Sequence, residues 1–145
     1  MASLQTVKDK DYQALAEFRH QIRRFLHFSE QAARRAGLEP QQHQLLLALR
    51  GWADANEAAS IGALAERLQI QHHSAVELVD RLEGRGLVTR SRAPSDRRQV
   101  LIRLTGRGEG ELAKLAVCHL DELQKNGPAL VTALETLIRR NNGGN

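Results

Sequence analysis

The chain has 145 residues, 41% hydrophobic, 3% aromatic and 26% charged, with one cysteine and a formal net charge of +4. That length suits one shared core, and a lone Cys118 excludes an intramolecular disulfide framework. No stretch approaches the ~20 consecutive apolar residues of a membrane span, and Met1–Lys10 has neither a signal nor a transit pattern. The expectation is a soluble, cytoplasmic, mainly helical chain with an aliphatic core.

Between Asp11 and Ala36, Leu15, Phe18, Ile22, Phe25, Leu26 and Ala33 recur close to a helical period, and Gly37 suits a left-handed cap. Met1–Asp9 has nothing to cap or bury and is expected to fray. Pro40 fits a first helical position and opens a second helix around Leu45, Leu46, Leu47 and Leu49. Gly51 and the polar run Asp54-Ala55-Asn56-Glu57 end it. Ser60 is a good N-cap for a third helix carrying Ile61, Leu64, Ala65 and Leu68. A tight junction at Ile70-Gln71 leads into a fourth, which buries Val76, Leu78, Val79 and Leu82 and stops at Gly84 or Gly86. Two short helices joined this closely form a helix-turn-helix.

The period then shortens. Leu87–Arg90 and Gln99–Leu104 read as strands, joined through Ala93–Arg98 with turn chemistry at Pro94-Ser95-Asp96. Gly106–Gly110 reads as a flexible link. Thr105 is placed to cap a fifth helix reaching about Lys125, with Leu112, Leu115, Ala116, Leu120 and Leu123 on its apolar side. Asn126-Gly127-Pro128 is expected to break it before a sixth helix carrying Leu130, Leu134, Leu137 and Ile138, and Asn141–Asn145 is expected to be disordered.

The fold class is therefore mainly α: a winged helix-turn-helix with a two-stranded β-wing and additional N- and C-terminal helices. The charge is concentrated on the wing. From Arg85 to Arg107 there are seven arginines (85, 90, 92, 97, 98, 103, 107) against one acid, Asp96, giving +6, while the remainder carries −2. Such a patch is the footprint of a polyanion partner. The outer helices carry more apolar surface than a small winged module covers, which points to a second copy. Residues 1–145 thus read as one domain: 38–105 the DNA-binding lobe, 10–36 and 106–140 the dimerisation helices.

Four strings then carry a resemblance: Leu38-Glu39-Pro40-Gln41, Leu64-Ala65-Glu66-Arg67-Leu68, Leu78-Val79-Asp80-Arg81-Leu82-Glu83 with Gly86-Leu87-Val88, and Asp96-Arg97-Arg98 with Leu104-Thr105. In this order and spacing the sequence resembles the MarR family of transcriptional regulators. The resemblance implies an obligate homodimer, promoter binding, and release of DNA when a small molecule or oxidant changes the dimer's geometry. Two departures stand out. Gln71-His72-His73-Ser74-Ala75 occupies the place where members usually carry Ser or Thr. The first helix also has no cysteine, which argues against the hydroperoxide-sensing subgroup.

In a helix-turn-helix the N-terminal residues of the second helix reach base edges in the major groove. Gln71 can read adenine, Ala75 a thymine methyl and Glu77 cytosine N4. His72 and His73 can donate to phosphate or guanine, with Ser74 in the same turn. Arg97 or Arg98 at the hairpin tip is suited to a narrow minor groove, which of the two being open, and Asp96 to orienting it through a carboxylate–guanidinium pair. Arg90 and Arg92 read as phosphate neighbours. Candidate effector-pocket residues are Phe18, Arg19, Ile22, Phe25 and Trp52.

No cofactor, metal or enzymatic activity is expected. His72-His73 and Cys118-His119 are adjacent pairs and His20 and His27 lie two turns apart, so none has the i, i+4 spacing of a metal pair. Nucleophile-elbow and phosphate-loop patterns are missing. The reading is a homodimeric repressor that binds double-stranded operator DNA of pseudo-palindromic sequence, is released by a small effector and has no membrane partner. The alternatives are a winged-helix protein-interaction module and a metal- or redox-responsive regulator.

Overall fold

A computed structural model describes residues 6–52, 59–94, 96 and 98–140. The polar run 54–57, Ser95, Arg97 and the tail 141–145 lie outside the described residues. The element order is α1 (Asp9–Arg35), α2 (Pro40–Arg50), β1 (Ala59–Ser60), α3 (Ile61–Leu68), α4 (His72–Gly84), β2 (Val88–Arg92), β3 (Val100–Leu104) and α5 (Gly106–Arg139). These divide into two compact units, Ala32–Val117 and Met1–Gln31 with Cys118–Asn145.

The winged unit is built around an aliphatic core in which Leu45, Leu46, Leu64, Val79 and Leu82 are wholly buried. Ala32 and Ala33 from the last turns of α1, and Leu112 and Leu115 from the first turns of α5, join the same core. Local chemistry fixes the element ends. Gly37 adopts φ +81 after α1, a conformation open to glycine because it has no Cβ. The Glu39–Gln42 capping box and Pro40 start α2. The Ser60 hydroxyl accepts the Ala63 N–H at 3.1 Å to start α3. The turn into α4 is made by Gln69 at φ 55, with the Ile70 N–H returning to the Ala65 carbonyl at 3.0 Å. No glycine marks that turn in the sequence.

The sheet has three antiparallel strands in the order β1-β3-β2, where two were expected. The addition is two residues long, Ala59 pairing with Ile102 and Ser60 with Leu101. Ala59 and Ile102 are both buried, so this edge of β3 would otherwise leave backbone groups unpaired inside the core. The wing register sets Val88 against Leu104 and Arg90 against Ile102.

The glycine-rich segment after the wing is the first turn of α5, and not a flexible link. The Thr105 hydroxyl accepts the Gly108 N–H at 3.0 Å and donates to the Gly86 carbonyl at 2.7 Å, while the Thr105 N–H donates to the Leu87 carbonyl at 3.1 Å. A Cβ at Gly108 would lie 2.1 Å from that carbonyl oxygen. Only glycine fits there.

In the helical unit, α1 and α5 pack through a polar-aromatic contact. His119 Nε2 lies 2.8 Å from Ser29 Oγ, and its ring sits edge-on to Phe25 and Phe28. The α5 helix runs through Pro128, where a break was expected. Proline forfeits one helical hydrogen bond, but Gln124 and Pro128 are exposed, so water can serve the freed carbonyl. The start of α1 is not frayed from Thr6 onward. Arg140 grips Asp11 with two bonds of 2.7 and 3.0 Å and donates to the Thr6 carbonyl, and the Lys8 N–H caps the same carboxylate. The Arg140 hydrogen bonds, backed by the Lys8 N–H, hold the Asp11 carboxyl at about 2, below its ordinary 3.8.

Three outcomes follow for stability. Gly108→Ala should lose roughly 1–3 kcal/mol in urea denaturation, because backbone must shift to admit the methyl. Gly110→Ala, with open space around it, should gain about 0.5–1 kcal/mol from helix entropy. The folded-state pKa of Asp11 is depressed, so its stabilisation is full above about pH 4 and is lost as the pH falls towards about 2. Asp11→Asn should lower the melting temperature at pH 7 and flatten its pH dependence over that acid range.

Candidate nucleic-acid interface

The first turn of α4 faces solvent. Gln71 is the N-cap residue in an extended conformation, and its side chain makes no capping bond. His72, His73 and Glu77 are exposed and Ser74 is half-buried. With no acidic residue in that turn, the positive end of the helix dipole adds to its attraction for anions. Ala75 is the exception. It is wholly buried, because it continues the inward stripe of Leu78, Val79 and Leu82 at helical spacing. Its methyl is unavailable to a thymine, which corrects the expectation for that residue. Val76, expected in the core, is half-buried.

The wing projects from the same unit. Its loop is closed by the Ala93 N–H on the Gln99 carbonyl and the Gln99 N–H on the Asp96 carbonyl, each at 3.0 Å. The Asp96 carboxylate accepts the backbone N–H of Arg98 at 3.0 Å. Asp96 therefore shapes the turn through the main chain of Arg98. Asp96, Arg98 and Arg92 are exposed, while Arg97 lies outside the described residues.

Arg90 departs most from expectation. Strand alternation puts it on the face of β2 shared with buried Val88 and paired Ile102. Its guanidinium bonds to Asp80 at 2.5 Å and Glu83 at 2.9 Å. Burial opposes its charge, but the hydrogen bonds it donates to Asp80 and Glu83 outweigh that and raise its pKa above the usual value. A residue held by two carboxylates is not a free phosphate neighbour. The signal was present in the sequence: Asp80 and Glu83 are three apart on one helix face, just ahead of the strand. Arg85 is also engaged, donating to the Gly37 carbonyl at 2.6 Å.

Two of the expected effector residues border hollows within their own units. Phe25 borders a small hollow with Gln21, Arg24, Leu123 and Leu130 in the helical unit. Trp52 borders an open cleft with Gln44, Leu47 and Arg67 in the winged unit. Phe18, Arg19 and Ile22 line neither. Among the described residues, no three His, Cys, Asp or Glu side chains are grouped to hold a metal ion, and no helix is long and apolar enough to cross a membrane.

Comparison with known proteins fits this geometry. A model described as MarR family matches residues 36–99. A solved structure of the transcriptional repressor CouR, bound to a 23-mer DNA duplex, is 31% identical and aligns over 93% of this chain and 100% of that one, with a TM-score of 0.65. The chain belongs to the MarR family. Among its relatives, a Thauera aromatica protein named as a putative transcriptional regulatory protein for the hcr operon is 30% identical over 106 residues, 72% of this chain. The organic hydroperoxide resistance transcriptional regulator of Bacillus subtilis is 31% identical over 96 residues, 59% of this chain. The chain spans 61% and 65% of the length of those two relatives. The one cysteine of this MarR-family chain, Cys118, is exposed on α5 and not on α1.

The wing-turn geometry makes a direct prediction. Asp96→Ala should speed hydrogen exchange of the Arg98 amide severalfold, since one hydrogen bond contributes about 0.5–1.5 kcal/mol. The amides of Val100–Leu104 should keep their protection. Equal loosening of both would mean that Asp96 supports the whole hairpin.

Proposed function

We propose that this chain is a homodimeric MarR-family transcriptional repressor of the cytoplasm that binds double-stranded operator DNA of pseudo-palindromic sequence. The observation that carries this reading is the pairing, within one compact unit, of a solvent-facing recognition-helix start (Gln71, His72, His73, Glu77) with a wing turn presenting Arg98. The first element suits base edges of a major groove and the second a minor groove or phosphates. The likeness to a repressor structure containing a DNA duplex supports it.

The dimer is supported by α5. Leu120, Val131, Leu134 and Ile138 are exposed and share a seven-residue pattern with Gln124 and Gly127. The pattern reads nearly alike in both directions from Gly127, with Leu120 and Leu134 each seven residues away. A face of that kind is self-complementary across a two-fold axis, and the glycine allows close approach at its centre. Tyr12 and Leu15 add exposed apolar surface on α1. Release by a small effector follows from the family likeness, with Phe18, Arg19, Ile22, Phe25 and Trp52 as its candidate contacts.

The test is selection of bound duplexes from a random pool, followed by affinity measurements across a salt series. The selected sequence should be nearly palindromic. Arg98→Ala should make the slope of log K against log salt shallower by about 1.8, from about 0.9 per lost phosphate contact in each of two protomers. His72→Ala or His73→Ala should lose roughly 1–3 kcal/mol at particular base pairs if that side chain reads a base. Leu134→Glu should give a monomer by light scattering with most operator affinity gone. A wild-type chain that prefers no duplex over a scrambled one would overturn the reading.

A further inference from the structure

Arg90 is a cation placed where no polyanion needs it. Its stem lies on the buried side of β2, and its side chain is 25% exposed. Its two terminal nitrogens are divided between carboxylates on a different element, Asp80 and Glu83 of α4. A planar guanidinium can bridge two separate acceptors in fixed directions, which a lysine ammonium on a flexible stem does poorly. The two acids sit on the recognition helix, where bare carboxylates would repel phosphate, and Arg90 offsets part of that repulsion. The base of the hairpin is anchored by the Arg85–Leu87 connection, by Val88 and Ile102 in the core shared with Leu82 of α4, and by the pairing of β3 with Ala59–Ser60. Beyond that base the outer rungs, Ser91 against Leu101 and Arg92 against Val100, lead to a tip that can tilt, and Arg90 is the side chain of β2 that ties this outer part to α4.

We infer that Arg90 is a positioning residue, which with Asp80 and Glu83 braces the wing against the recognition helix so that both engage one duplex at a fixed relative angle. It touches no phosphate itself. This rests on the DNA-binding reading above and deepens it. Specific binding requires the helix and the wing tip to be in register with the same site. Non-specific binding requires only charge near phosphates. The brace therefore acts on the ratio of specific to non-specific affinity, and leaves the number of phosphate contacts unchanged.

The experiment uses the full chain, a duplex selected by the wild type and a scrambled duplex of equal length. The variants are Arg90→Gln, Arg90→Lys and the pair Asp80→Asn with Glu83→Gln. Thermal melts check folding. In Arg90→Gln and in the acid pair alike, the specific-to-non-specific ratio should fall roughly tenfold, the discrimination carried by about one base pair. Arg90→Lys should keep part of the ratio. The salt slope of Arg90→Gln should equal that of the wild type.

A slope shallower by about 1.8 in Arg90→Gln, with the wild-type ratio kept in the acid pair, would make Arg90 a phosphate contact and overturn the inference. A wild-type ratio in the folded Arg90→Gln variant would also overturn it. Should Arg90→Gln fail to fold, the acid pair decides, since it keeps the arginine and removes only what holds it. A wild type that does not discriminate between the duplexes refutes DNA reading and brace together. Discrimination kept by wild type and variants alike refutes the brace alone.

Discussion

The start of the wing and the start of α5 meet at one backbone carbonyl. The oxygen of Leu87 accepts the Thr105 N–H and approaches Gly108 so closely that no side chain fits between them. That contact stands beside the first rung of the hairpin, Val88 against Leu104, and so fixes the register of everything beyond it. A slip of one residue would move every wing side chain to the opposite face. Arg90 would leave Asp80 and Glu83, and Ile102 would leave the core. The functional surface of the winged unit thus depends on a place with no functional side chain.

The elements with local signals were readable in advance. Ser60, Pro40, Gly37 and Thr105 each act at the helix ends where their chemistry suggests, because a cap is decided by three or four neighbouring residues. Features that depend on distant partners were not readable in the same way. Strand β1 exists because Ala59 lies beside Ile102, a pairing across the fold that two residues cannot announce. Gln69 takes a left-handed conformation with no glycine to mark it. Pro128 carries a local breaking signal, yet the surrounding helix persists through it. Ala75 was legible but misread, since its small side chain suits a groove contact as well as a core.

The charge map changes in the same way. Seven arginines against one acid describe a string of residues, whereas a surface is described by which cations are uncommitted. Arg85 is occupied by a helix-terminal carbonyl and Arg90 by acids that lie before the counted segment. Arg98 stands exposed at the tip, where Asp96 organises the turn around its main chain.

The clasp between Asp11 and Arg140 joins residues 129 positions apart. A ribosome makes the first partner early and the second only when α5 is complete. The winged unit, drawn from Ala32–Val117, has all its sequence in hand well before that, and domains commonly fold as their residues emerge. The winged unit is thus complete in sequence first, while the N-terminal part of α1 awaits the C-terminal turns of α5.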